Sequence, residues 1–360
     1  MPLDRDDLSA VFSHAMTGGD LEGLPIPGRI TSRVKTVAVE ANLDEDSAER
    51  AMLRVARLAD AAGLRFEQLD DESLALVSGE RGAIFVDALD PRFWLVHSLA
   101  QSDFLHGLLR EAVRSTRDLD WCWLPRHLIE DFRHAGNVEW FKTDFEADQL
   151  TPARGDPARR LRVQLEGDGA YRLLQLISGQ VDYSHAAALT AMAVEFSAPD
   201  VGTILEVADY KGRFAATGNS FELHVGLVSR MVRAYAEYVR GIERRFALEW
   251  TSEEDGGLAL EGEVVGITFV KRVQDFDTFL AGLFSCRDPF RLWGVPRRVT
   301  DSFASVEAVD LHVGTVLPID ISADGLRVYL RDDSCGNSVA RLVANLQHRY
   351  DATIRAPIPA

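Results

Sequence analysis

The chain is poor in lysine, in cysteine and in long apolar runs, and each shortage narrows what it can be. Of its 39 basic residues only Lys35, Lys142, Lys211 and Lys271 are lysines, which leaves thirty-five arginines. That bias reflects a GC-rich coding genome of bacterial type, and it marks a lysine held in a strand as a candidate for a specific role. Three cysteines, Cys122, Cys286 and Cys335, are an odd number at no metal-ligand spacing and without a CxxC pair. A disulfide framework is excluded and a reducing cytoplasm fits. The N-terminal residues Met1 to Asp7 are acidic and lack the basic and apolar regions of a signal peptide. The longest apolar stretch, residues 186–194, is far shorter than the roughly 20 residues that cross a bilayer. GxGxxG, Walker A, HExxH and GxSxG patterns are all missing. Positive charge is short too: the formal net charge is −17. Such a chain repels phosphate backbones and anionic membranes at long range, which leaves room only for a local basic groove.

What the sequence does contain is a three-strand-and-helix pattern that recurs three times. The first copy reads strands at 74–77, 83–87 and 93–99 and a helix at 103–114. The second reads strands at 191–196, 203–209 and 212–216, then a helix at 220–244. The third reads strands at 306–313, 316–321 and 326–331, then a helix at 334–350. In the last strand Leu326, Val328 and Leu330 alternate with Arg327, Tyr329 and Arg331, which separates a buried face from a wet one. In the long second helix Val228, Met231, Tyr235 and Tyr238 fall on one stripe at steps of three and four. The expected fold is α+β, with mainly antiparallel sheets, recurring β-β-β-α units and helices packed on one face. Its length allows two domains or three.

Residues 1–30 are dense in Gly, Pro and Asp and read as an extended N-terminal arm that adds little stability. Residues 31–150 read as an N-terminal α+β region with a helix at 45–62 ended by Gly63. The aperiodic stretch 148–160 marks a boundary, and 151–360 reads as a C-terminal α+β domain carrying two of the three units.

Four constellations are candidates for chemistry. Pro199-Asp200 followed by Asp209-Tyr210-Lys211 matches the PD…(D/E)xK pattern of metal-dependent nucleases, which needs two carboxylates on one divalent cation and a lysine beside the attacking water. If residues 191–209 form a hairpin turning near 200, Asp200 lies roughly 15 Å from Asp209. A second acid would then come from Glu166, Asp168 or Asp182, and positive surface from Arg213. A cross-strand ion pair on a wet face explains the same residues. Cys335 opens the last helix, where free amides favour a thiolate; His348 sits about 20 Å down that helix, and His312, on a strand of the same unit, is a candidate partner. A capped helix with a small buried cysteine is the plainer alternative. Cys122, His127, Asp131 and His134 suggest a metal site without a complete ligand set. Asp182-Tyr183-Ser184-His185 has acid–base ingredients but not triad geometry. No cofactor is implied.

The sequence therefore points to a cytoplasmic, non-enzymatic interaction or regulatory subunit of a bacterial multi-protein system, with protein partners and no membrane. The alternative is a nuclease using Asp209 and Lys211, with Glu166 and Asp182 as further metal ligands. A cysteine-dependent enzyme at Cys335 is a third reading.

Overall fold

The computed structural model describes residues 4–19, 27–28, 30–43, 47–151, 159–167, 169–252, 258–355 and 357. In chain order the elements are α1 (Arg5–Met16), β1 (Ile30–Ala41), α2 (Ala48–Ala61), β2 (Arg65–Gln68), β3 (Leu74–Gly79), β4 (Gly82–Asp87), β5 (Phe93–Ala100), α3 (Ser102–Ser115), β6 (Leu119–Trp121) and α4 (Arg126–Asp131). A 3-10 turn (Phe132–Ala135) leads to β7 (Asn137–Glu146), β8 (Arg160–Glu166), α5 (Ala170–Ser178), a second 3-10 turn (Ser184–Ala186), β9 (Leu189–Ala198), β10 (Gly202–Asp209), β11 (Arg213–Gly218) and α6 (Phe221–Phe246). Then come β12 (Ala247–Ser252), β13 (Leu258–Glu261), β14 (Val265–Thr268), α7 (Phe276–Leu283), β15 (Leu292–Trp293), β16 (Arg297–Thr300), β17 (Phe303–Asp310), β18 (Val316–Ser322), β19 (Gly325–Val328), β20 (Leu330–Arg331) and α8 (Gly336–Arg349).

The fold is mixed α+β, with one large antiparallel sheet in the order β2-β3-β4-β5-β1-β11-β10-β9-β7-β8, to which β6 adds on β1. Two smaller sheets run β13-β12-β20, whose β12–β20 pair is parallel, and β14-β19-β18-β17-β15 with β16 on β17. The β-β-β-α units form as β3-β4-β5-α3, β9-β10-β11-α6 and β17-β18-β19-α8, but the strand expected at 326–331 divides, and its second piece, β20, leaves that sheet to pair with β12 before α8 begins. No helix among the described residues is long and apolar enough to cross a membrane.

The chain makes two compact units that interleave in sequence. The first comprises Met1–Cys122, Asp131–Glu139 and Ala193–Arg233; the second comprises Trp123–Glu130, Trp140–Met192 and Ala234–Ala360. The expected boundary at 148–160 lies within the second and falls mostly outside the described residues.

In the first unit β1 is central and buried from Val34 to Ala41. Thr36 pairs with His97 on β5 and with Phe214 on β11, so these side chains share one face of the sheet. Val37 and Val39 point to the other face. On the Thr36 face lies α1, which corrects the reading of residues 1–30 as an extended arm. Asp4 caps α1 in a reciprocal box with Asp7, and Leu8, Phe12, Ala15 and Met16 are buried. The Phe12 ring packs 4.5 Å from Phe221 and 5.5 Å from Phe85, centroid to centroid. Arg5 ties the helix down through Asp71 and Asp87. Spacing of eight, twelve and fifteen outweighs the Gly- and Pro-rich residues that follow. Pro25 and Ile26, part of the same expectation, lie outside the described residues.

In the second unit α8 is buried on every side from Gly336 to His348. That is unusual for a helix so rich in polar groups, and each needs a partner. Arg341 and Ser338 both reach the Asp310 carboxylate at the end of β17, and Arg341 Nε donates to the Phe290 carbonyl at 2.9 Å. Burial opposes ionisation of Asp310, but Arg341, His312 and the hydrogen bonds outweigh it and hold the carboxyl below its ordinary value.

Candidate functional site

The Asp209–Lys211 motif is a hairpin turn. Gly212 N–H donates to the Asp209 carbonyl at 3.1 Å, and Gly212 sits at φ +65°. Asp209 Oδ1 accepts from the backbone N–H of Lys211 at 2.8 Å and of Arg213 at 3.2 Å. The carboxylate is therefore engaged in holding the β10–β11 connection. Burial pushes its pKa up, against the pull of Arg213. Lys211, read with Asp209 as an ion pair on a wet face, is half-buried, its ammonium 5.4 Å from the centre of the Tyr210 ring.

Asp200 is exposed in the turn at the far end of β10, at φ +63°. Eight strand residues at about 3.3 Å each separate that end from Asp209, too far to share one cation. Glu166 and Asp182 are exposed and belong to the second unit, whereas Asp209 belongs to the first. Gln164 Nε2 donates to Glu166 at 2.9 Å. Asp168 lies outside the described residues. Among the described residues, none of Asp209, Glu166, Asp182, Cys122, His127, Asp131 and His134 belongs to a set of three ligand atoms close enough for one ion. His127 instead packs its ring on Tyr238, centroids 5.2 Å apart. His185 packs on Phe145 at 5.9 Å.

Cys335 occupies the N-cap position of α8, and a ring nitrogen of His312 lies within 4.8 Å of its sulfur. The two residues paired in the sequence reading are thus adjacent. Both are buried, however, at 2% and 0% exposure. The first helical amide, Gly336 N–H, donates to Glu243 at 2.8 Å, so a carboxylate takes the place a thiolate would need.

A second buried network has no counterpart in the sequence reading. On the Thr36 face of the first unit, Glu206 Oε2 lies 2.6 Å from His224 Nδ1, and His224 Nε2 lies 2.6 Å from Thr36 Oγ1. Thr36 Oγ1 is also 2.7 Å from His97 Nδ1. Acid, imidazole and hydroxyl stand in the order of a hydrolytic triad. Yet Thr36, Glu206 and His224 have no exposed surface and His97 has 1%, and Thr36 is held from both sides. No carbonyl can approach that hydroxyl, so the network orders the core. Burial first, then the charges of His224 and Arg5, lowers the His97 pKa to about 3, which keeps that ring neutral. Burial raises the Glu206 pKa against the opposing pull of His224.

The opposite face of the same sheet is open. Between α2, α3 and strands β1, β3, β4 and β5 lies a cleft of about 360 Å³. Its floor is Val39, Val77, Ile84, Val86, Trp94 and Val96. Its walls come from helices that are amphipathic by sequence. Val55 and Ala59 of α2, and Leu109 and Val113 of α3, point inward. Ser47 caps α2, with its Oγ accepting from Arg50 N–H at 3.3 Å. Alanines at 59, 61, 62 and 112 stand where larger side chains would close the gap. Were the void sealed and empty, it would cost about 9 kcal/mol at ~24 cal/mol per Å³, comparable to a domain's whole stability. It opens instead beside the exposed residues Ala61, Ala62, Glu111 and Ser115. Polar groups are confined to Glu111, Ser115 and Thr116 near the ends of the helices. An apolar concavity with few polar groups is the ordinary form of a binding site.

The chain belongs to the MJECL33-like protein family, whose model matches residues 30–357. It is similar to a protein of Methanocaldococcus jannaschii named "Uncharacterized protein MJECL33", with 24% identity over 363 residues, covering 89% of this chain and 85% of that relative. Neither name carries an activity.

Proposed function

We propose that the protein is a non-enzymatic interaction subunit of a multi-protein system in the cytoplasm, and that the cleft between α2 and α3 receives apolar side chains of a protein partner. The cleft is the observation that carries this reading. It is apolar, concave and open, whereas the groups arranged like catalytic machinery are shut in the core or spent on a turn. Burying apolar side chains of a partner there would remove from water a surface the isolated chain leaves wet. Charge supports a protein over a nucleic acid, since the chain carries −17.

The test is affinity purification from the native host with wild type and Leu58→Arg, a substitution at a half-buried cleft residue. A partner is expected to co-purify with wild type and to be lost from the variant, both chains melting within a few degrees of each other. A variant that keeps every partner of the wild type would remove the cleft from the account. Purified protein with Mg²⁺ or Mn²⁺ is expected to leave DNA and RNA intact. Cleavage abolished by Asp209→Ala and Lys211→Ala in folded protein would instead establish the nuclease.

A further inference from the structure

Lys35 is buried in β1, and its ammonium has no carboxylate partner among the described residues. Nζ donates to Thr31 Oγ1 at 2.8 Å, to the Arg33 carbonyl at 3.0 Å and to the Ala100 carbonyl at 2.8 Å. These acceptors are neutral. They satisfy the three hydrogens and leave the charge unbalanced. Burial, then the charge of Arg33, lowers the Lys35 pKa to about 8.

More unbalanced charge lies on the same face. Lys35 pairs with Ala215 and Val37 with Arg213 across β1 and β11. Lys35 and Arg213 are therefore diagonal neighbours, about 7–8 Å apart at the backbone. The Arg213 guanidinium lies over the Trp121 ring, 5.4 Å from its centre, and its buried Nε has no hydrogen-bond partner among the described residues. From α3 comes His106, whose buried Nδ1 is equally without a partner among those residues. One turn further stands Arg110, about 5–6 Å from His106 by helical spacing and exposed. Burial first, then Arg213, Arg110 and Lys35, brings the His106 pKa down to about 4. Two carboxylates face the patch. Asp103 partly offsets the effect on His106, and Asp209 faces Arg213 with Oδ1 already engaged by two backbone amides.

We propose that Arg213, His106 and Arg110, in the field of Lys35, form a binding site for a phosphate-type dianion. Arg213 and Arg110 offer fork-shaped donors suited to an oxyanion. His106 offers one N–H while neutral. Lys35 acts through its charge, because its hydrogens are already used. Cations that form no salt bridge among the described residues of so acidic a chain favour a short-range, specific contact, since long-range attraction is absent. A bound dianion would balance the patch and let His106 take up a proton at higher pH.

The test is titration of the full chain with inorganic phosphate at constant ionic strength, with chloride and acetate as controls. Binding is followed calorimetrically, and the His106 ring by NMR across pH. Saturable phosphate binding is expected, with an upward move of the His106 midpoint when phosphate is bound. Arg213→Gln is expected to abolish binding and Arg110→Gln, at an exposed position, to weaken it about tenfold. Three results would each overturn the site: no saturable binding beyond chloride, a His106 midpoint indifferent to phosphate, or unchanged affinity in folded Arg110→Gln. Acetate binding as strong as phosphate would overturn its assignment to a dianion.

Discussion

His224 Nδ1 lies 2.6 Å from Glu206 Oε2, and neither side chain has exposed surface. The pair joins α6 to β10 in the middle of the first unit, and through Thr36 it reaches β1 and β5. Removing one member leaves a polar group buried without its partner. Glu206→Ala and His224→Ala are each expected to cost about 3–5 kcal/mol. The double variant should lose clearly less than the sum, because the second change removes the group the first one stranded. Additive losses in urea unfolding would show that the two do not act as a pair.

Acid should unfold this protein partly through His97. The folded chain resists a proton there down to about pH 3, whereas an unfolded histidine accepts one near 6.5. The unfolded state therefore binds more protons between those values. The contribution of His97 is complete above about pH 6.5 and is lost at about 1.4 kcal/mol per unit as pH drops toward 3. His106, lowered to about 4, steepens the same limb. His97→Gln is expected to flatten the slope between pH 6 and 4, and an unchanged slope would place the acid response elsewhere.

Helix α1 belongs to the core. Phe12 has no exposed surface and touches Phe85 and Phe221. Phe12→Ala should cost about 3–5 kcal/mol. Deleting residues 1–17 should lower the melting temperature sharply. A deletion that melts like the full chain would return this segment to the status of an arm.

The turn at Asp209–Gly212 offers a structural test. A Cβ on Gly212 would stand 2.8 Å from the Cys122 carbonyl oxygen, at a φ of +65°. Gly212→Ala is expected to destabilise the chain by about 1–3 kcal/mol. Asp209→Asn, which keeps an acceptor for the two backbone amides, should cost less than Asp209→Ala. Equal losses would show that the carboxylate does not hold the turn.

These features were unequally legible. Alternation over 326–331 and the stripe on α6 are local, and the three β-β-β-α units follow from such patterns. Strand β1 gives no alternation, since both its faces are buried from Val34 to Ala41. Helix α1 did carry a signal, Asp4 followed by Leu8, Phe12 and Ala15, but the Gly- and Pro-rich residues after it masked the period. The Glu206–His224–Thr36–His97 network joins residues 61 and 188 positions apart, which register alone brings together. Asp209 and Lys211 illustrate the reverse case. A turn that needs an acceptor at its first position and glycine at its fourth spells the same letters as a nuclease motif. The cleft is written only as alanines, whose small size shows its effect once two helices face each other.

On the proposal above, the α2–α3 cleft is where this protein meets its partner. A photo-crosslinking amino acid at Ala112, in the cleft, tests it most directly, with the same probe at Val181, 90% exposed, as control. In the native host the Ala112 probe should join the chain to one apolar segment of one protein, identified by mass spectrometry, and the Val181 probe should not. The same products from both probes, or none from Ala112 in a chain that melts normally, would contradict the account.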